Sequence, residues 1–493
     1  MPFSHSQQEL NEVPRSNTGA LEAGFRTAVP AEEDKIDLSI LGQLKSSMFR
    51  WMNILLVFVP VGIATHYAGV DPTIVFVMNF IAIVPLASLL SNGTEEVALY
   101  CGEVIGGLLN ATFGNAVELI VSILALIKHE IVIVQTSLIG SILSNLLLVL
   151  GMCFLAGGVN RTEQKFNTTV AQTAASLLVV SCASLIVPTA FHMASNAGDA
   201  GITQLSRGTA VILLLVYASY LFFQLRTHEH LYSAESEKTP KENIFRGRPK
   251  EVPGTSSSSN SSHAQALSTV PETPNDSEPE LEKEPEKPTL QLWFALSLLA
   301  VSTVLVAICA ECLVDSIDHL VTSSGISRVF VGLILLPIVG NAAEHATAVT
   351  VAIKDKMDLA IGVAVGSSMQ IALLVIPLVV IIGWCMGLDE MNLYFDGFQV
   401  MILFVSVLLV NYLIQDGRSN YLEGNLLLAL YMIIAYASVP QDFVNCANCC
   451  AKSGELVLSQ RRNSGGRDRF QLTFPAQTYE ALMIRKDDCL LVV

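Results

Sequence analysis

Residues 114–152 read GNAVELIVSILALIKHEIVIVQTSLIGSILSNLLLVLGM, and residues 340–378 read GNAAEHATAVTVAIKDKMDLAIGVAVGSSMQIALLVIPL. The second stretch echoes the first at a constant offset of 226 residues, without a gap. Asn115 matches Asn341, Glu118 matches Glu344, Lys128 matches Lys354, and Gly140-Ser141 matches Gly366-Ser367. Each copy reads as two apolar helices joined at a short polar corner, with one carboxylate deep inside the first helix. A fixed-offset echo that keeps an acid at the same depth is the mark of a duplicated membrane site.

The rest of the chain reads as scaffold. It has 493 residues, 52% hydrophobic and only 15% charged, with a mean hydropathy of +0.52. Charge that sparse places it among polytopic membrane proteins. Runs long enough to cross a hydrocarbon core of roughly 30 Å as helices fall at about 51–68, 73–91, 105–127, 131–156, 168–190, 207–226, 291–311, 327–351, 358–384, 397–415 and 422–440. The expectation is therefore an all-α polytopic membrane protein of about eleven transmembrane helices. The first run has no counterpart in the duplication. What remains is two sets of five, and an odd number per set makes the repeats enter the membrane from opposite sides.

Five segments follow. Residues 1–45 read as a disordered tail and 46–228 as the extra span with the first repeat. Residues 229–290, which include TSSSSNSSH and PETPNDSEPELEKEPEKP, form a low-complexity acidic linker. Residues 291–440 hold the second repeat, and 441–493 a tail without membrane pattern or evident fold. No cleavable signal peptide is expected, since about fifty polar residues precede the first run. Lys and Arg in short loops sort into two sets. Arg161, Lys165, Arg226, Lys354, Lys356 and Arg418 fall on the side of the N-terminal tail and linker, opposite Lys128, Arg207 and Arg328. The first set marks the cytosolic side.

The net charge of −16 argues against a nucleic-acid partner. Cysteines 153, 182, 309 and 312 sit inside spans, where they behave as small apolar residues. Cys446, Cys449 and Cys450 lack a second ligand pair at zinc spacing. Glu95, Glu96 and Glu103 follow the second run; a solvated helix face is the first reading, an ion-collecting vestibule the second.

A carboxylate at the centre of a span costs roughly 2.5–3.5 kcal/mol to insert. Close helix packing explains the glycines and alanines around Glu118 and Glu344, but not the acids. Asn115 and Asn341 each stand three residues before the acid, on the same helix face. Glycine in Gly140-Ser141 and Gly366-Ser367 permits a kink that frees backbone carbonyls. Ser137, Ser144 and Asn145 in one copy, and Ser368 and Gln370 in the other, add neutral oxygens. Two carboxylates among such groups make a hard-cation ligand set, suited to Ca2+ with its six to eight oxygens at about 2.3–2.6 Å. His345 reads as a buried hydrogen-bonding histidine, a proton relay or a selectivity element. Without a cation, buried paired acids take up protons, so Ca2+ and H+ compete for one carboxylate pair. That competition is an antiport mechanism. No GxxxxGK[ST] nucleotide loop is present in the sequence.

GNAVELIVSI, GNAAEH, GSSMQIAL and FFQLRTH resemble the vacuolar Ca2+/H+ exchangers of the fungal and plant type, within the cation/Ca2+ antiporter superfamily. The resemblance covers about residues 45–440. It implies a one-plus-five-plus-five architecture, a vacuolar membrane location, and Ca2+ moved into the vacuole against protons leaving it, with Mn2+ as a second cargo. It assigns Glu118 and Glu344 as shared Ca2+/H+ ligands. Asn115, Asn341, Ser141, Ser144, Ser367 and Gln370 become supporting or gating groups, and His345 a determinant of ion preference. No cofactor and no enzymatic activity are implied, the bilayer is the obligate surrounding, and homo-oligomerisation is left open. Rival readings are a Mn2+ or Na+-coupled exchanger, a passive channel, and an intramembrane enzyme using paired acids. The tail after Pro440 and the long Ser/Pro-rich linker depart from the family pattern.

Overall fold

The computed structural model describes residues 42, 51–101, 103–194, 198–228, 288–439, 458–462 and 468–472. The expected N-terminal tail, most of the linker, the Cys446–Cys450 cluster and most of the C-terminal tail lie outside the described residues.

Apolar runs become helices wherever the backbone must satisfy its own polar groups. After a 3-10 turn at Trp51–Val57 come α1 (Phe58–Tyr67), α2 (Pro72–Cys101), α3 (Glu103–Phe113), α4 (Ala116–Ile127), α5 (Ile131–Leu143), α6 (Leu150–Gly158), α7 (Thr168–Ala194) and α8 (Gly198–Phe222). The second half holds α9 (Leu292–Ser324), α10 (Arg328–Phe330), α11 (Leu336–Gly340), α12 (Ala342–Ile353), α13 (Met357–Gln370), α14 (Ile376–Cys385), α15 (Gly397–Leu413) and α16 (Tyr421–Ser438). Side chains close several helix starts. Asn420 accepts from Leu422 and Glu423 N–H, Asp396 from Phe398 N–H, and Ser327 from Phe330 N–H. Two antiparallel strands, Leu458–Arg462 and Asp468–Leu472, lie in the tail that reads as unpatterned.

Among the described residues, seven helices are long and apolar enough to cross a membrane, and the broken segment Arg328–Ile353 makes an eighth. The expected eleven are not reproduced by length and composition. A break at Asn115 leaves Ala116–Ile127 short, and Asn53–Tyr67 and Gly397–Leu413 also fall short of a full span. Two helices instead outrun their apolar stretches. The second run was expected to end at Ser91, yet α2 continues to Cys101, and α9 continues past residue 311 to Ser324. In both, acidic residues occupy the extra turns, where they stand beyond the most apolar stretch.

The two repeats are inverted in space. The corner of the first, Lys128-His129-Glu130, meets α9 through an ion pair between Lys128 and Asp315. The corner of the second, Lys354-Asp355-Lys356, lies at the opposite end, where Asp355 pairs with Arg161 at 3.4 Å. His129 and Asp355, equivalent at the 226-residue offset, take the same left-handed backbone, φ 59° and 63°. Each ends its helix in the same way. The Arg161 end is stapled further. Gln164–Lys165 pairs with Arg418–Ser419, Arg418 bonds Glu163 at 2.8 Å, and Gln164 donates to Asp355 Oδ1 at 2.8 Å. At the other end Arg207 pairs with Asp389 at 2.5 Å and Arg328 with Asp318 at 2.5 Å. The pairings thus gather Arg161, Lys165 and Arg418 at one end and Lys128, Arg207 and Arg328 at the other.

α5 and α13 are the interior posts. Ile133, Leu138, Ile139, Ile142 and Leu143 on α5 are buried, as are Ala360, Ile361, Ala364 and Val365 on α13. α1 docks on α2 through Asn79, whose amide donates to Gly62 O at 3.2 Å and Val75 O at 2.9 Å.

Candidate functional site

Each repeat breaks at its asparagine. α11 ends at Gly340, Asn341 turns at φ −94° and ψ 9°, and α12 departs so that the two segments bend by 60°. Asn115, at φ −102° and ψ 22°, separates α3 from α4 in the same way. Glu118 and Glu344 are therefore third in helices that begin inside the bundle. Their carboxylates share that position with the positive end of the helix dipole. The kinks expected at Gly140-Ser141 and Gly366-Ser367 are absent. α5 and α13 run straight through them, and widening to π-helix comes only at Ser144–Val149 and Ile371–Val375. Gly140 serves close packing instead. A β-carbon there would stand 2.7 Å from the Leu333 carbonyl carbon and from Cγ of Pro337.

The acids cross between repeats. A β-carbon on Gly340 would lie 3.0 Å from Oε1 of Glu118, and one on Gly114 would lie 3.8 Å from Oε1 of Glu344. Asn115 Nδ2 donates to Gln370 Oε1 at 2.7 Å, linking the break of one repeat to the interior post of the other. The Ser367 hydroxyl bonds the Glu344 carboxylate. Ser144 Oγ and His345 Nε2 stand 3.3 Å apart. Ser137 and Ser141 share a pocket with Glu118. Asn341 and Asn145 are almost fully buried, and neither polar atom of the Asn145 amide has a partner in the chain. The Ser368 hydroxyl bonds Ala364 O at 2.9 Å in its own helix and reaches Ile142 O of the other repeat at 3.4 Å, so it ties α13 to α5.

Both carboxylate oxygens of Glu118 and Oε2 of Glu344 are buried and receive no hydrogen bond from the chain. A buried carboxylate in that condition needs a proton or a cation. Apart from the His345 imidazole beside Ser144, the polar groups around the acids are hydroxyls and amides, and among the described residues no cluster of three His, Cys, Asp or Glu forms a resident metal site. The set suits a hard ion held transiently.

The surroundings of the two acids are not alike. Glu344, Ser367, Gln370 and Gly366 open onto a cavity of about 600 Å3 that reaches Asn167 and Asp358 beside the Arg161 staple. Glu118 faces only a pocket of about 20 Å3, walled by Val117, Leu336 and Val339. Of the three acids after the second run, Glu95 lines the large cavity. Glu96 does not join it; its carboxylate accepts from Thr289 N at 2.9 Å and Leu290 N at 3.1 Å. The side chain of Glu103 lies outside the described residues. Asp358 went unnoticed in the sequence. It reads as a first-turn helix acid, and its Oδ1 does accept from Asn167 N at 2.6 Å, but it also borders the route to Glu344.

A family model described as sodium/calcium exchanger protein matches residues 72–226 and 294–439. The chain is 45% identical over 404 residues to a vacuolar calcium ion transporter of Schizosaccharomyces pombe, covering 81% of this chain and 87% of that one. It is 41% identical over 384 residues to a Ca(2+)/H(+) antiporter of Aphanothece halophytica, covering 78% and 94%. Among solved structures, the Ca2+/H+ antiporter protein YfkE superposes with a TM-score of 0.59 at 31% identity, over 78% of this chain and 98% of that one. Matching in both repeats, along most of the described membrane body, the chain belongs to the sodium/calcium exchanger protein family.

Proposed function

We propose that the chain is a Ca2+/H+ antiporter of the vacuolar membrane, in which Glu118 and Glu344 bind Ca2+ and protons in competition. One observation carries the reading. Two glutamates from inverted repeats reach across to each other's breaks, with three of their four oxygens unpartnered by the chain. Ca2+ bound between them cancels both charges, and protons do the same when Ca2+ leaves. The names of the relatives, vacuolar calcium transporter and Ca2+/H+ antiporter, support Ca2+ as cargo and H+ as the counter-ion over Na+ coupling.

In this assignment Asn115 and Gln370 hold the two repeats in register, and Ser367 orients Glu344. Ser141 and Ser144 border Glu118 and His345, while Asn341 and Asn145 supply further amide oxygen. His345, tied to Ser144, biases which divalent ion is accepted, with Mn2+ as the second cargo. The repeats are carried by residues 46–228 and 291–440. The Arg161 end, the linker 229–290 and the N-terminal tail face the cytosol, so the large cavity opens toward cytosolic Ca2+. Alternating access then closes that cavity and opens the Glu118 side to the vacuole.

The test is Ca2+ uptake into sealed vesicles with an acid interior, with and without a protonophore, for the native protein, Glu118→Gln and Glu344→Gln. Uptake that needs the gradient and is lost in both variants supports shared-carboxylate antiport. Uptake that survives collapse of the gradient shows a channel or another coupling ion, and ends the proton half of the reading.

A further inference from the structure

The inverted repeats are in two different conformations, and the difference is written in glycines. In one interface, Gly332 and Leu333 lie against Thr136 and Gly140. A β-carbon on Gly332 would stand 2.7 Å from Cβ of Thr136, and one on Gly140 would stand 2.7 Å from the Leu333 carbonyl carbon. That contact closes the Glu118 side. Moving each residue by the 226-residue offset gives the matching interface: Gly106 and Gly107 on α3 against Gly362 and Gly366 on α13. All four are glycine. Yet this interface is open. A β-carbon at Gly362 or Gly366 would meet nothing within 4 Å, and Gly107, Gly362 and Gly366 all line the large cavity. α3 leans away, with Leu225 Cδ2 at 2.7 Å from a β-carbon on Gly107 and Ala98 O at 2.6 Å from one on Gly106.

We propose that Gly107 and Gly366 form the gate at the Arg161 end: in the alternate state α3 swings off Ala98 and Leu225 and its backbone closes on Gly366, as Leu333 now closes on Gly140. The inference rests on the antiport reading only in requiring alternating access. Its physical basis is that a backbone contact as close as that at Gly140 leaves no room for a side chain. Glycine at 362 and 366 is not needed for the conformation seen here, where both positions border open space and neither has a left-handed backbone. The residues are explained by a contact that this conformation does not make. Since two inverted repeats exchange roles as access alternates, the required partner is the one the offset names.

The proposal predicts a separation of binding from turnover. Gly366→Leu should fold normally, keep Ca2+ binding within threefold of native by 45Ca2+ equilibrium binding, and lose at least tenfold in the rate of vesicle uptake. Uptake at the native rate overturns the gate. A variant that fails to fold contradicts the open space at Gly366 and overturns it equally. The second measurement pairs Gly107→Cys with Gly366→Cys in the full chain with its native cysteines replaced by alanine. Under turnover, mild oxidation should cross-link the pair, stop uptake, and be reversed by reductant; absence of cross-linking overturns the proposal. Cross-linking reports the approach of two helices whatever ion is carried. A failure of proton coupling therefore leaves the gate standing, and a failure of the gate leaves proton coupling standing.

Discussion

Oε1 of Glu118 lies 3.0 Å from the place a β-carbon would take on Gly340, the residue before the break of the opposite repeat. Each repeat therefore contributes both an acid and the small surface that the other repeat's acid lies against. The exchange is reciprocal but not equal, since the corresponding separation for Glu344 and Gly114 is 3.8 Å. The tighter half belongs to the closed side and the looser half to the side facing the cavity.

Gly340→Ala should test that spacing. A methyl group at 3.0 Å from a carboxylate oxygen forces Glu118 to move by a few tenths of an ångström. Glu118 is one of only two carboxylates that would offset the ion's charge, so displacing it should lower Ca2+ affinity about tenfold, equivalent to about 1.4 kcal/mol. The fold should survive, because the pressed atom is the end of a side chain. Equilibrium Ca2+ binding beside a thermal unfolding curve distinguishes the two effects.

The hydrogen bond from Asn115 to Gln370, at 2.7 Å, joins the two repeats at the level of the site. Asn115→Ala and Gln370→Ala should each weaken Ca2+ binding. The double variant should be less impaired than the sum, with a coupling energy of about 1 kcal/mol. Strict additivity in a double-mutant cycle on Ca2+ affinity would mean that the bond does not position the site.

Competition fixes the sign of the pH response. Protons favour the neutral acids, and bound Ca2+ favours the charged ones, so Ca2+ binding releases protons. Apparent Ca2+ affinity should fall as pH is lowered, and a proton release should accompany binding in weakly buffered solution. Glu344→Gln should diminish both responses. An affinity independent of pH would separate the proton site from the Ca2+ site.

Much of this was legible because the duplication keeps register: a gapless offset carries every residue of one repeat onto the other. The equivalence of the two acids and the inverted arrangement of the corners follow from it. Gly140 misled because glycine signals either a bend or a close approach, and only its neighbour Leu333 decides which. The length of α2 was hidden by Ser91-Asn92-Gly93-Thr94-Glu95-Glu96, polar residues that end an apolar run without ending a helix. The difference between a packed Gly140 and an open Gly366 could not be read at all. Both are glycine in the same motif, and the distinction belongs to the conformational state.

Glu95 and Asp358 border the cavity that leads to Glu344, and neither lies at the paired acids themselves. Their charge should raise local cation concentration and speed capture without setting the maximal rate. Glu95→Gln with Asp358→Asn should lower uptake at limiting Ca2+ several-fold while leaving the rate at saturating Ca2+ near native. The deficit should shrink as ionic strength rises, since screening weakens the attraction in the native protein too. Initial rates across Ca2+ and salt concentrations test this. A loss confined to the saturating rate would place these carboxylates in the conformational cycle instead of on the approach path.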